Sequence, residues 1–440
     1  MAGLDPATRQ LLPDQLPRPR VSAPLRPRMT KLVNSAQPLL ALGSLSLLFF
    51  VITAASFTSL GVVLPEMVTA LHWRWSEAGL GYSVLGVACG LASLAPALAI
   101  RRLGVQAALF LGGVLMAVGL HGFSVAGTIP RYLLSAAALG VGFALLATIP
   151  ATYVLSRLFR HLSAAFGVYF TAGGLGAAAG PLIYTLARGA GMDWRGYWLS
   201  MAIAALASAS LAAALCRVPV EDPAPQPDAH ETTEGWTIQA ALRTPAFWII
   251  TLAYTAYLLC ETSVTSLSVA HLTGRGIAPA VAGGMLSLQA LINAGGRAAG
   301  GALGERIKPR TLVMAALALT TAGIVALALA RGYPSMIIYV LGVGIGYGVS
   351  YLATTVLLLD TFGRKPYLEL FSIMCLVSTL AAIGPFIGGA LKDRTGGFEG
   401  AFWLFAAVAA AALVAVAMMP RASPNVLRPS ILDPGGSNSG

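Results

Sequence analysis
The stretch LINAGGRAAGGALGERIKPR (291–310) sets one arginine apart. Arg297 lies among glycines and alanines, eight residues before a dense charged run that contains Glu305, Arg306, Lys308 and Arg310. A guanidinium is planar and permanently charged, which suits two-pronged recognition of a carboxylate. Asn293 stands four residues earlier, and on a helix that spacing puts both side chains on one face. Glu261, in CETS (260–263), is the only carboxylate clearly inside an apolar run, where a carboxyl group can take up and release a proton. Ser56, Thr58, Tyr82, Tyr169, Tyr254, Tyr257, Tyr347 and Ser378 fall near the middle of neighbouring apolar runs. They are candidates to line a cavity, with the tyrosines as hydrogen-bond donors to a carboxylate. His121 is a weaker candidate, because a lone histidine near a helix end is more often structural. Each assignment has a plainer rival. Arg297 can be a gate residue pairing with helix ends, Glu261 a structural partner of a polar residue or of Arg297, and each tyrosine a packing residue or interface anchor.

The elements that position these residues follow from composition. The chain has 440 residues, 57% hydrophobic and 10% charged, against about 25% charged in soluble domains. A helix needs roughly 20 apolar residues to cross the hydrocarbon. Twelve stretches qualify, near 40–66, 77–100, 106–126, 132–156, 163–187, 196–216, 246–270, 278–303, 311–330, 335–358, 368–391 and 399–420. The expected fold is all-α and integral to the lipid bilayer, with twelve transmembrane helices. The first stretch is too long for a secretory signal and lacks a small-residue cleavage site. The four cysteines, Cys89, Cys216, Cys260 and Cys375, have no metal-ligand or disulfide spacing. They read as small packing residues. No phosphate loop, metal cluster or activated nucleophile is present in the sequence, so no enzyme chemistry and no cofactor are implied. GVGIGYG (342–348) lies inside a span rather than after a strand, which excludes a nucleotide loop.

A net charge of +11 could suggest nucleic acid, but its distribution points to a membrane. With both termini on the inside, 19 of the 28 basic residues lie in the tails and inside loops and 8 in outside loops. That asymmetry fixes orientation and predicts cytoplasmic termini, in a bacterial inner (plasma) membrane. The one basic residue left over is Arg297. Residues 1–38, rich in proline and arginine, read as a disordered cytoplasmic tail, and 422–440 as a second one. The polar stretch 217–243 separates a six-helix bundle at 39–216 from another at 244–421, and its segment 235–242 suggests a short interfacial helix. The halves share one offset of 204 residues. It relates Gly180-Pro181 to Gly384-Pro385, Thr58-Ser59 to Thr262-Ser263, Gly104 to Lys308 and Gly79 to Gly283. Parallel repeats of this kind pack about an axis along the membrane normal and place a substrate site between them.

Twelve spans, the 6+6 repeat and the long central loop resemble the major facilitator superfamily, whose signature Gly-x-Leu-x-Asp-Arg-x-Gly follows span two. The second half carries Gly301-Ala-Leu303-Gly-Glu305-Arg306-Ile-Lys308, and the first carries Ala97-Leu-Ala99-Ile-Arg101-Arg102-Leu-Gly104, which has lost the acid. The resemblance covers roughly 40–420 and implies a gating role for Glu305, Arg306, Arg101 and Arg102 when the inside is shut. TPAFW (244–248), NAGGRAAGG (293–301) and GPFIGGALKDRTGGFEGAFW (384–403) are similar to the monocarboxylate and oxalate/formate branch. In that branch an acid precedes a carboxylate-binding arginine by four residues. Here the places are Asn293 and Arg297. A span-one lysine of the animal members is Thr58 here, so proton coupling by that route is not supported.

The resulting expectation is a secondary transporter that moves a small organic anion, a monocarboxylate, by alternating access. Arg297 holds the carboxylate with Asn293, Tyr169, Thr58, Tyr254, Tyr257, Tyr82 and Ser378 around it, and Glu261 carries a proton. The expected functional unit is a monomer that binds no nucleic acid. The rival is proton-driven efflux of drugs or hydrophobic metabolites, suggested by Gly176-x-x-x-Gly180-Pro181 in span five. The span-four arginine motif of such exporters is absent, since Arg131 lies too far before Gly140. A receptor or scaffold without transport is a third class.

Overall fold
A computed structural model describes residues 37–159, 162–216, 236–304, 306–363 and 366–420. The expected tails, most of the 217–243 linker and Glu305 lie outside these. Among the described residues eleven helical segments are long and apolar enough to cross a membrane. They are α1 (Gln37–Leu71), α2 (Trp75–Leu103), α3 (Val105–Ser124), α4 (Ile129–Leu158), α5 (Leu162–Gly189), α6 (Trp194–Leu215), α7 (Pro245–Gly274), α9 (Pro309–Ala328), α10 (Tyr333–Phe362), α11 (Glu369–Thr395) and α12 (Glu399–Ala417). The remaining long helix, α8 (Pro279–Gly304), carries Gln289, Asn293 and Arg297 among small residues. A short helix, Ile238–Leu242, precedes α7, and its first turn is capped by the Thr237 hydroxyl accepting the Ala240 N–H at 3.2 Å.

Four spans are interrupted, three of them just before a proline. α1 breaks between Ala54 and Phe57, and the Ser59 hydroxyl donates to the freed Ala54 carbonyl at 2.5 Å. α4 breaks at Ala147, just before Pro150, and the Tyr169 hydroxyl donates to the Ala147 carbonyl at 3.0 Å. α2 and α11 pass through 3₁₀ turns immediately before Pro96 and Pro385. Broken helices are tolerated in lipid when side chains satisfy the released carbonyls in this way.

Helices α1–α6 pack into one bundle and α7–α12 into another. The repeat is visible in the packing. A methyl group at Gly180 would lie 2.8 Å from the Ser59 oxygen, and one at Gly384 would lie 2.2 Å from the Ser263 oxygen. The same serine–glycine contact therefore joins α1 to α5 and α7 to α11, 204 residues apart.

The bundles meet along α2/α11, α5/α8 and α1/α7. We call the face where α1 begins and α12 ends the terminal face, and the opposite one the distal face. The α2/α11 seam runs from Trp75 and Ser76, whose N–H groups donate to Asp393 at 3.0 and 2.9 Å, to Gly90 against Thr379. Beyond that depth, Ala95–Leu103 and Thr148–Leu158 make their contacts within their own half, and Gln37–Ala54 does so through Phe49 and Phe50 against Gly173 and Gly176. The halves are thus joined along α2/α11 and α1/α7 on the distal side and part toward the terminal face.

Candidate functional site
α8 presents Gln289, Asn293 and Arg297 at successive turns of one face. Two of its neighbours complete a polar ladder along that face. At the distal end, the Gln289 amide donates to both Glu261 oxygens, at 3.1 Å each, and the Thr265 hydroxyl reaches Oε1 at 3.4 Å. Gln289 is 1% exposed. At the terminal end, Arg297 Nε donates to Asn293 Oδ1 at 3.3 Å. α10 closes around it: the guanidinium stands 5.6 Å from the Tyr347 ring centre and 5.4 Å from that of Tyr351, within reach of the Tyr347 hydroxyl. Both rings supply cation–π attraction. The backbone of Gly348 makes this possible, since a side chain there would meet the Asn293 carbonyl at 2.4 Å and the Arg297 nitrogen at 2.8 Å.

Arg297 remains exposed and makes no ion pair among the described residues. Glu261 lies two turns along the same ladder, beyond ion-pair distance. An unpaired guanidinium is costly in hydrocarbon, about 3 kcal/mol on insertion scales. Here it is exposed, hydrogen-bonded to Asn293 at 3.3 Å, with the Tyr347 and Tyr351 rings beside it.

The other predicted residues divide. Tyr254 and Tyr257 stack edge-to-face at 5.1 Å, and Tyr257 lies 5.3 Å from Tyr347, so both continue the tyrosine wall of the ladder. Tyr82 belongs to the opposite half. Its hydroxyl donates to the Phe57 carbonyl at 3.2 Å, and its ring packs on Phe57 at 5.8 Å. Tyr169 is not gathered into the cluster. It is 1% exposed, stacks on Phe49 at 4.4 Å and braces the α4 break. Thr58 is buried beside Gly180, Ser56 is buried at the α1 break, and the Ser378 hydroxyl returns to the Cys375 carbonyl at 2.7 Å. Arg101, Arg102 and Arg306 are exposed and form no ion pair among the described residues, as suits an open terminal face. His121 is exposed and apart from the ladder.

Sequence reasoning missed four residues. Gln289 and Tyr351 were legible from the four-residue spacing on α8 and from the turn after Tyr347 on α10. Glu66 corrects the view that Glu261 is the only carboxylate within a span. It sits inside α1 toward the distal end, paired with Arg188 Nε at 3.2 Å and accepting a hydrogen bond from Tyr184. Together they border a distal cavity of about 670 Å³ between the halves, lined from the other side by Val269, Thr273, Pro279 and Ala280. His271, buried between α9 and α12, meets the Leu327 carbonyl at 3.0 Å and the Phe402 ring at 4.9 Å. Nothing in its spacing distinguished it.

Two repeated bundles of long apolar helices that meet beside a polar ladder define a multi-pass membrane transport protein. The chain belongs to the Major Facilitator Superfamily, whose family model matches residues 45–381. No curated protein sequence matches it. Solved structures share the fold. A bacterial homolog of the human lysosomal transporter Spinster, in an inward-facing and occupied conformation, aligns at 14% identity and a TM-score of 0.71, over 89% of this chain and 98% of that one. The nucleoside transporter NupG aligns at 14% and 0.67, over 88% and 99%. The peptide transporter POT, in a point-mutant form, aligns at 16% and 0.67, over 86% and 93%.

Proposed function
We propose that the protein is a secondary active transporter of a small organic anion, a monocarboxylate, working by alternating access with a proton as co-substrate. The observation that carries this reading is Arg297: exposed toward the open face, held by Asn293, flanked by Tyr347 and Tyr351, and without an acid partner of its own among the described residues. A carboxylate entering there supplies the missing counter-charge and takes a bidentate pair of hydrogen bonds. Glu261 lies two turns along the ladder, held by Gln289 and Thr265. An anion on Arg297 withdraws the positive charge that favours the ionised Glu261, so substrate binding promotes proton uptake at Glu261. That linkage makes anion and proton travel together. In this reading the terminal face is cytoplasmic, and the described conformation is inward-open.

The test is uptake of labelled monocarboxylates into proteoliposomes. Wild type accumulates the anion under an inward proton gradient. Arg297→Ala abolishes uptake, and Arg297→Lys lowers it strongly, because an ammonium cannot reproduce the forked geometry. Normal transport by both variants would show that Arg297 is not the ligand.

A further inference from the structure
The α1/α7 crossing is the closest approach of the two halves on the repeat axis. A methyl at Gly61 would lie 1.9 Å from the Thr265 carbonyl oxygen, so only glycine fits there. Gly61 and Thr265 are related by the 204-residue offset, and so are Phe57 and Glu261. Phe57 and Glu261 each stand one turn, about 6 Å, from the crossing toward the open face. They are counterparts in the two halves, at the same depth beside the crossing. The remaining steps of the ladder carry no charge and no side-chain amide in the first half. Gln289 corresponds to Leu85 and Asn293 to Cys89, and Arg297 corresponds to an uncharged Ser93. Phe57 is half-buried and packs edge-to-face on Tyr82 at 5.8 Å and on Phe143 at 5.5 Å. Tyr82 in turn donates its hydroxyl to the Phe57 carbonyl at 3.2 Å, which fixes the aromatic group at the α1 break.

We infer that the substrate is an amphipathic acid, with its carboxylate on Arg297 and Asn293 and an aromatic or bulky apolar body against Phe57 and Phe143. The inference rests on the carboxylate reading of Arg297 and deepens it. A repeat with matched polar walls would select a substrate charged at both ends. Here one wall is a charged ladder and the other is aromatic, so the two ends of the substrate differ in the same way. Phe57 and Phe143 are the specificity-determining residues.

The experiment uses the full-length protein in proteoliposomes, with acetate, phenylacetate and uncharged phenylacetamide as probes. Phenylacetate is expected to be the better substrate by about tenfold or more in turnover over KM, as for apolar pockets that read added carbon. Phenylacetamide is expected not to compete. Phe57→Ala should lower that ratio for phenylacetate about tenfold and leave acetate within about twofold. Phe57→Leu should fall between. Thermal shift checks folding, and Phe143→Ala takes the place of Phe57→Ala if the latter does not fold. Equal handling of acetate and phenylacetate by wild type, or equal losses for both in the variants, overturns the amphipathic substrate. Failure of the carboxylate reading has a different signature: no acid of any size is carried, or phenylacetamide competes as well as phenylacetate.

Discussion

Opening the distal face must break the contact between Asp393 and the start of α2. The first N–H groups of a helix have no partner within it. In α2 the Arg74 N–H is taken by Glu77, from the same half, at 2.9 Å, while those of Trp75 and Ser76 are taken by Asp393, from the other half. The carboxylate also meets the positive end of the helix dipole. Hydrogen bonds to a charged group contribute about 1.5–3 kcal/mol each when sheltered. Asp393 is exposed, so water replaces much of that, and about 2 kcal/mol for the pair is the reasonable scale. At 1.4 kcal/mol per tenfold, Asp393→Ala should raise the ratio of distal-open to distal-closed protein roughly 30-fold. Asp393→Asn keeps one acceptor and loses the charge, and should give about a fivefold rise. The assay is a pulsed electron-electron distance measurement in liposomes. Spin labels are placed on cysteines at Ala70 and Arg394, both exposed and on opposite halves, in a protein whose four native cysteines have been replaced. A long-distance population should grow in the order wild type, Asp393→Asn, Asp393→Ala. If Asp393→Ala leaves the distances within about twofold of wild type while remaining folded, Asp393 is a surface cap and not a latch.

Glu261→Gln should retain exchange of labelled for unlabelled anion but lose accumulation driven by acid outside, measured as uptake against external pH. The sign follows from the proposed scheme: with the proton loaded at Glu261, wild-type uptake rises as external pH falls and the variant is flat. Tyr351→Ala should raise the KM for the anion about two- to fivefold, the scale of one cation–π contact of about 0.5–1 kcal/mol, while Tyr351→Phe stays near wild type. Gly61→Ala forces a methyl into the Thr265 carbonyl. It should lower the melting temperature by several degrees, given overpacking costs of about 1–3 kcal/mol, and transport should be lost with it.

The number and order of the spans were legible because lipid demands long apolar runs, and their limits are marked by Gly, Pro and charges. The repeat was legible because packing preserves the small residues that let helices touch: Gly180 and Gly384 recur against Ser59 and Ser263 for one steric reason. The ladder was legible only in part. Arg297 and Asn293 stood out by charge and spacing, and the same four-residue step extends to Gln289. The partner of Gln289, however, depends on how α7 lies against α8. Tyr169 shows the opposite failure. A tyrosine at mid-depth looks like a ligand in the sequence, but its hydroxyl is taken by a helix break in α4 that no local pattern announces. Glu66 escaped because it lies near a helix end, where a charge is ordinarily solvated; its pairing with Arg188 depends on the packing of α1 against α5.

The uneven division of polarity between the halves bears on turnover as well as recognition. A ligand shifts a conformational equilibrium only by the difference in its affinity for the two states. Gln289, Asn293, Arg297, Tyr347 and Tyr351 all move with one half, together with Glu261. An anion short enough to touch only these residues is held equally well whichever face is open, so its binding does nothing to drive the halves past each other. In the proposed binding mode the group of the other half that a bound acid meets below the Gly61–Thr265 crossing is Phe57. Contact with Phe57 changes as the halves rock, so an acid long enough to reach it gains affinity in one state over another. On this reasoning acetate binds and turns over slowly, whereas phenylacetate gains chiefly in turnover. Phe57→Ala should therefore act on phenylacetate mostly through its maximal rate. A loss confined to KM would mean that Phe57 holds the substrate alike in every state and takes no part in moving it.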